Sequence, residues 1–152
     1  MHTTFLTLHV ICGGLGLLIG PLAMMVRKRP RRAGVHWHRR LGLAYQATVT
    51  GLCSSALGLV ALKPAVWWLG MIAVATQAAA AVGWLTRPSK RPARLKTHIG
   101  AMCGSYISFV TAFLVVNSDE LVWWFLPTVV GSPLIAWSSR RATSRYAVRS
   151  AS

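Results

Sequence analysis

Five histidines hold most of the chemistry open to this 152-residue chain. His2 and His9 lie near its start, whereas His36, His38 and His98 each adjoin dense runs of Lys and Arg. Residues 27–42 read RKRPRRAGVHWHRRLG, with seven Lys/Arg around His36 and His38. Residues 86–97 read TRPSKRPARLKT and bring five more directly before His98. Imidazoles on two different helices, with cations beside them, suit the axial positions of a b-type haem. Arg39, Arg40 or Lys96 would then hold its propionates. His36, His38 and His98 could also offer three nitrogens to zinc, although no carboxylate or thiolate stands near them. Without any metal, Arg39 and Arg40 at one helix start, and Arg94 and Lys96 before another, suit a phosphate or carboxylate. The positive end of each helix dipole adds to that preference. The simplest such anion is a phospholipid headgroup on the cytoplasmic side.

Away from the basic blocks the polar groups are few. His9 is the one ionisable side chain well inside an apolar run, which makes it a functional candidate by default. Residues expected at its depth are Gly58, Leu69, Phe113 and Phe125, so a neutral imidazole bonded to a backbone carbonyl is expected, and no proton relay. Thr50, Gln77 and Tyr106 share a depth of about 12 Å from the inner ends at 1.5 Å per residue. They form either an interhelical hydrogen-bond clamp or the polar lining of a ligand cavity. The three cysteines, Cys12, Cys53 and Cys103, fall in apolar runs with no metal spacing and read as small buried hydrophobes. Phosphate-binding loops, dinucleotide fingerprints, nucleophile elbows and metalloprotease motifs are all missing from the sequence, which points to a binding protein and away from an enzyme.

These residues must be held by membrane helices. The chain is 54% hydrophobic and 12% charged, with a formal net charge of +15. Such basicity could indicate nucleic acid, but here the cations sit in short stretches between apolar runs. An anionic lipid surface is the expected partner and nucleic acid is not. Apolar runs at 5–26, 41–62, 65–85, 98–117 and 121–138 are each about long enough to cross a bilayer core of roughly 30 Å. The first does not read as a signal peptide, since no Lys or Arg precedes it and a polybasic block follows. The fold class is therefore all-α, a polytopic transmembrane bundle of five spans in a single domain at 1–152. Pro127 and Pro133 should kink the fifth span, and a basic cytoplasmic tail at 139–152 ends the chain.

Orientation follows from charge. With the N-terminus out and the C-terminus in, the two inner stretches and the tail hold sixteen of the seventeen Lys/Arg. Lys63, Asp119 and Glu120 remain outside. Trp67, Trp68, Trp123 and Trp124 mark the outer interface, while Trp37, Trp84 and Trp137 mark the inner one. This is the pattern of a multi-pass protein of a bacterial inner membrane. Small residues at four-residue spacing suggest where spans meet: Gly16 and Gly20 on the first, Ser54 and Gly58 on the second, Gly100, Gly104 and Ser108 on the fourth. The fourth span, being the most polar, is expected to be the most buried, and a homo-oligomer is compatible with these faces.

The turn His38-Arg39-Arg40-Leu41-Gly42 with Tyr45, together with His9 and with His98 opening a later span, resembles a bacterial predicted-membrane-protein family of unknown function. Its pattern is His-Arg-x-x-Gly-x-x-Tyr after the first span. The stretch HIGAMCGSYISFVTAFLVVN, followed by WFLPTVVGSPLI, is similar to the closing half of one subgroup, so the likeness runs from His9 to Trp137. The resemblance implies an inner-membrane helical protein in which His38, Arg39, Gly42, Tyr45 and His98 match the pattern, and it implies no substrate. Three readings stay open. The first is a small embedded binding protein with a cytoplasmic-side His/Arg site, in its most concrete form a haem b or redox protein. The others are a transporter or channel subunit around Thr50, Gln77 and Tyr106, and a structural partner of another membrane protein.

Overall fold

The computed structural model describes residues 2–26, 32–86, 92–118 and 120–151, with side chains described throughout except at 32–36, 92 and 145–151. Five α-helices account for most of it: α1 (His2–Met25), α2 (Arg32–Leu62), α3 (Trp67–Leu85), α4 (Pro92–Asn117) and α5 (Val122–Ala151). One turn of 3-10 helix, Pro64–Val66, leads into α3. No strand occurs among the described residues. Four helical segments are long and apolar enough to cross a membrane: His2–Met25, Trp37–Leu62, Pro64–Leu85 and Ala93–Asn117. The protein is thus an all-helical membrane protein. Helix α5 is not one of the four, because its prolines, tryptophans and small polar residues dilute an otherwise apolar run.

The helices outrun the apolar runs at their basic ends. Helix α2 begins at Arg32 and not near Leu41, and α4 begins at Pro92, six residues before His98. Arg and Lys are good helix formers, and Pro is well suited to a first helical position, so neither need stop a helix that leaves the hydrocarbon. Likewise α5 continues through Pro127 and Pro133 to Ala151, so the expected tail is helical up to Ala151. The histidines consequently ride on helices and not on loops.

The chain divides into two compact units, Met1–Gln77 and Ala78–Ser152. In the first, α1 and α2 form an antiparallel hairpin. Phe5 meets Gly58, Cys12 meets Gly51, and the C-terminal end of α1 meets His38, so the α2 partner falls as the α1 position rises. A Cβ on Gly51 would lie 2.7 Å from Cys12 Sγ, and one on Gly58 would lie 2.8 Å from the Phe5 ring. These two positions let the helices approach. Helix α2 also meets the start of α3, where Gly70 lies against Val60 and Leu57. Being covered on two sides, α2 buries Tyr45, Thr48, Val49, Leu52, Cys53 and Ser55.

The second unit holds the end of α3 with α4 and α5. Here Gly83 faces Met102 across α3 and α4, and Gly131 receives Ile107 across α4 and α5. Helix α4 buries Ser105, Phe109 and Thr111. Two expectations need correction. The most buried helix is α2 and not α4, for the covering just described. The Gly100–Gly104 stripe is no contact face either, since a Cβ at either glycine would meet nothing within 4 Å. Small residues permit close approach, but the rotation of the helix decides whether a neighbour uses it.

Candidate functional site

His38 is the seventh residue of α2 and half-buried. Its Nδ1 lies 3.0 Å from the carbonyl oxygen of Ala23, fifteen residues earlier. Ala23 is third from the end of α1, where the last carbonyls have no partner within their own helix. A carbonyl oxygen only accepts, so Nδ1 carries a proton, and in the neutral tautomer the lone pair lies on Nε2. His98 repeats this arrangement. It is the seventh residue of α4, half-buried, and its Nδ1 lies 2.6 Å from the carbonyl oxygen of Gly83, again fifteen residues earlier. Gly83 is likewise third from the end of its helix, α3. Each histidine therefore caps the helix before it and closes its own hairpin.

The cations take different places around the two rings. Arg39 and Arg40 follow His38 on α2 and are exposed. The Arg40 guanidinium lies over the Trp37 ring, 5.9 Å from its centroid. In the second unit Arg94 and Lys96, also exposed, precede His98 on α4. Farther along that unit, Arg141 lies over Trp137 at 5.0 Å. Paired Arg and exposed Trp are apt at a membrane boundary, since the ring sits at headgroup level and the guanidinium reaches phosphate. His36 lies on α2, but its side chain is outside the described residues, as are the basic residues at 27–32, 87, 90–91, 145 and 149. Among the described residues no three His, Cys, Asp or Glu gather as a metal site, so the zinc arrangement depends on His36.

His9 does not bond only to backbone as expected. Its Nδ1 lies 3.3 Å from the buried Ser55 hydroxyl, which donates its own proton to the Leu52 carbonyl at 2.8 Å. With the hydroxyl proton on Leu52, the imidazole donates through Nδ1, as the other two do. Of the expected mid-membrane trio, Gln77 and Thr50 meet. Gln77 Nε2 donates to Thr50 Oγ1 at 3.3 Å, and Thr50 donates to the Gln46 carbonyl at 2.9 Å. Tyr106 belongs to the other unit, where its ring stands edge-on to Phe109 with centroids 6.5 Å apart.

Sequence reasoning missed four participants. The carbonyls of Ala23 and Gly83 leave no trace in residue type. Ser55 was findable, because antiparallel pairing of α1 with α2 from their shared turn brings it to His9. Gln46, a second amide within an apolar run one turn before Thr50, carried the same signal as Gln77. Comparison of the chain with protein-family models, with curated proteins and with solved structures returns no match.

Proposed function

We propose that this chain is a small binding protein of a bacterial inner membrane, not an enzyme, with cytoplasmic-side ligand positions at His38 in the first unit and at His98 in the second. In this reading it crosses the membrane five times, N-terminus out and C-terminus in. Exposed apolar side chains along α5, among them Phe125, Val129, Val130 and Leu134, support α5 as the fifth span, because lipid is the solvent they suit. The ligand is haem b, and the cations available to its propionates are Arg39 and Arg40 beside His38, or Arg94 and Lys96 beside His98. Membership of the family that the His38–Tyr45 motif resembles belongs to the same proposal.

One observation carries the reading: two histidines at the same helical position, each with Nδ1 bonded to a backbone carbonyl. Metal-ligating histidines are held in this way, since the second-shell acceptor sets the tautomer and aims Nε2 at the metal. A histidine serving only as a helix cap would need no cations beside it. The visible spectrum of the purified protein tests this. A Soret band is expected, lost in both His38→Ala and His98→Ala if one iron takes both nitrogens. Loss in a single variant would assign the iron to one unit, and a colourless protein from haem-replete cells would end the haem reading.

A second reading, an anion site, is favoured by the Arg40–Trp37 pairing at 5.9 Å. It requires no colour. It requires instead anionic lipid that co-purifies with the protein and is lost when Arg39 and Arg40 are both replaced by Gln. The transporter reading keeps only the Thr50–Gln77 bond as support, and that bond also suits a clamp.

A further inference from the structure

Two side-chain oxygens in the first unit, Gln46 Oε1 and Gln77 Oε1, are buried and have no hydrogen-bond partner. Gln46 and Thr50 lie one turn apart on one face of α2, and Gln77 reaches Thr50 from α3. Thr50 donates to the backbone carbonyl of Gln46 at 2.9 Å and accepts from Gln77 Nε2 at 3.3 Å. With the hydroxyl proton on the backbone carbonyl, Gln77 donates through Nε2 and its oxygen points away from Thr50. Gln46 and Thr50 lie eight and twelve residues beyond His38 on α2, about 12 and 18 Å along the axis at 1.5 Å per residue. That is well within the apolar part of the helix, where a stranded amide oxygen has no water to turn to.

We infer that Gln46, Thr50 and Gln77 form a binding site for an uncharged, membrane-soluble molecule that donates O–H hydrogen bonds, of the hydroquinone class. The acceptors set the donor requirement, since both open atoms are amide oxygens. Charge argues against a cation. Residues 1–77 contain no Asp or Glu, so this unit has no carboxylate to offset a metal ion or ammonium. The apolar flanks of α2 and α3 supply the rest of the preference. A dihydroxybenzene presents two O–H donors on a ring that dissolves in hydrocarbon. This site is independent of the histidines, so haem binding and hydroquinone binding succeed or fail separately.

The test is a titration of the whole purified chain in detergent with a matched pair of probes, a decyl-hydroquinone and the corresponding decyl-benzoquinone. The two share shape and differ in O–H donors. The hydroquinone is expected to bind at least about fivefold tighter, from two hydrogen bonds of ordinary worth. Each of Gln46→Met and Gln77→Met, which keep side-chain length without the amide, should remove about two- to tenfold of that affinity. Far-UV circular dichroism checks that the variants fold, with Leu at the same positions as the second pair. Equal binding of the two probes overturns the inference. So does no binding of either, or a preference that survives both substitutions.

Discussion

The turn ends of the two hairpins are built to one plan from different residues. His98 stands sixty positions after His38, and Gly83 sixty after Ala23, with nearly the same hydrogen bond between each pair. The agreement continues into the helices. Tyr45 and Val49 are buried on α2, and Ser105 and Phe109 are buried at the matching places on α4. Gly16 and Gly20 are buried on α1, and Thr76 and Ala80 on α3. Yet Tyr against Ser and Val against Phe differ greatly in volume. What the two hairpins share is the capping histidine and a pattern of covered positions, not residue identity. A helix end in lipid must satisfy its own carbonyls, so the cap persists where packing residues drift. Cations precede both histidines in the sequence, but only His38 is also followed by them, at Arg39 and Arg40. His9 is not part of the plan, since Leu69 stands at its counterpart position.

The largest effect that bears on this comparison is all-or-none. If the two hairpins thread the membrane alike, a reporter fused after Ser152 is active only in the cytoplasm and one fused at Ser118 only outside. The reverse pattern would turn both hairpins over and remove the cytoplasmic site. Next in size is a contrast between faces. Gly51→Leu forces a side chain into Cys12 and should destabilise by about 1–3 kcal/mol or more. Gly104→Leu enters open space and should leave thermal unfolding in detergent within about 0.5 kcal/mol of the parent. An equal loss at Gly104 would mean that a neighbour uses the face after all.

The capping bonds give a smaller and more pointed comparison. His38→Ala and His98→Ala should each lose about 1 kcal/mol of stability, measured without haem, and the two losses should agree within about 0.5 kcal/mol. Markedly unequal losses would break the equivalence of the hairpins. Ser55→Ala leaves the His9 imidazole short of an acceptor in the first hairpin only. Its cost should be about 0.6 kcal/mol, the usual worth of such a bond between membrane helices. The smallest effect is at the surface. Arg40→Gln should lower affinity for anionic vesicles by about 1 kcal/mol at low salt, with no measurable change in folding. Insensitivity to lipid charge would confine Arg40 to its place over Trp37.

Much of the fold was legible in one dimension. Four apolar runs long enough to span a membrane, and the crowding of Lys and Arg between them, are properties of composition along the chain. The bilayer reads them in that form, which is why the membrane class and the helical content follow from the sequence alone. The bond between Gln77 and Thr50 was legible too, because polar groups in hydrocarbon at one depth must find each other. Tertiary structure alone decided the rest. Which glycines meet a neighbour depends on helix rotation, so Gly51 and Gly58 proved close-packed while Gly100 and Gly104 did not. The acceptors of His38 and His98 are backbone carbonyls, present on every residue and marked by none. Only the folded hairpin, with its first helix ending beside the seventh residue of its second, selects Ala23 and Gly83 from all the others.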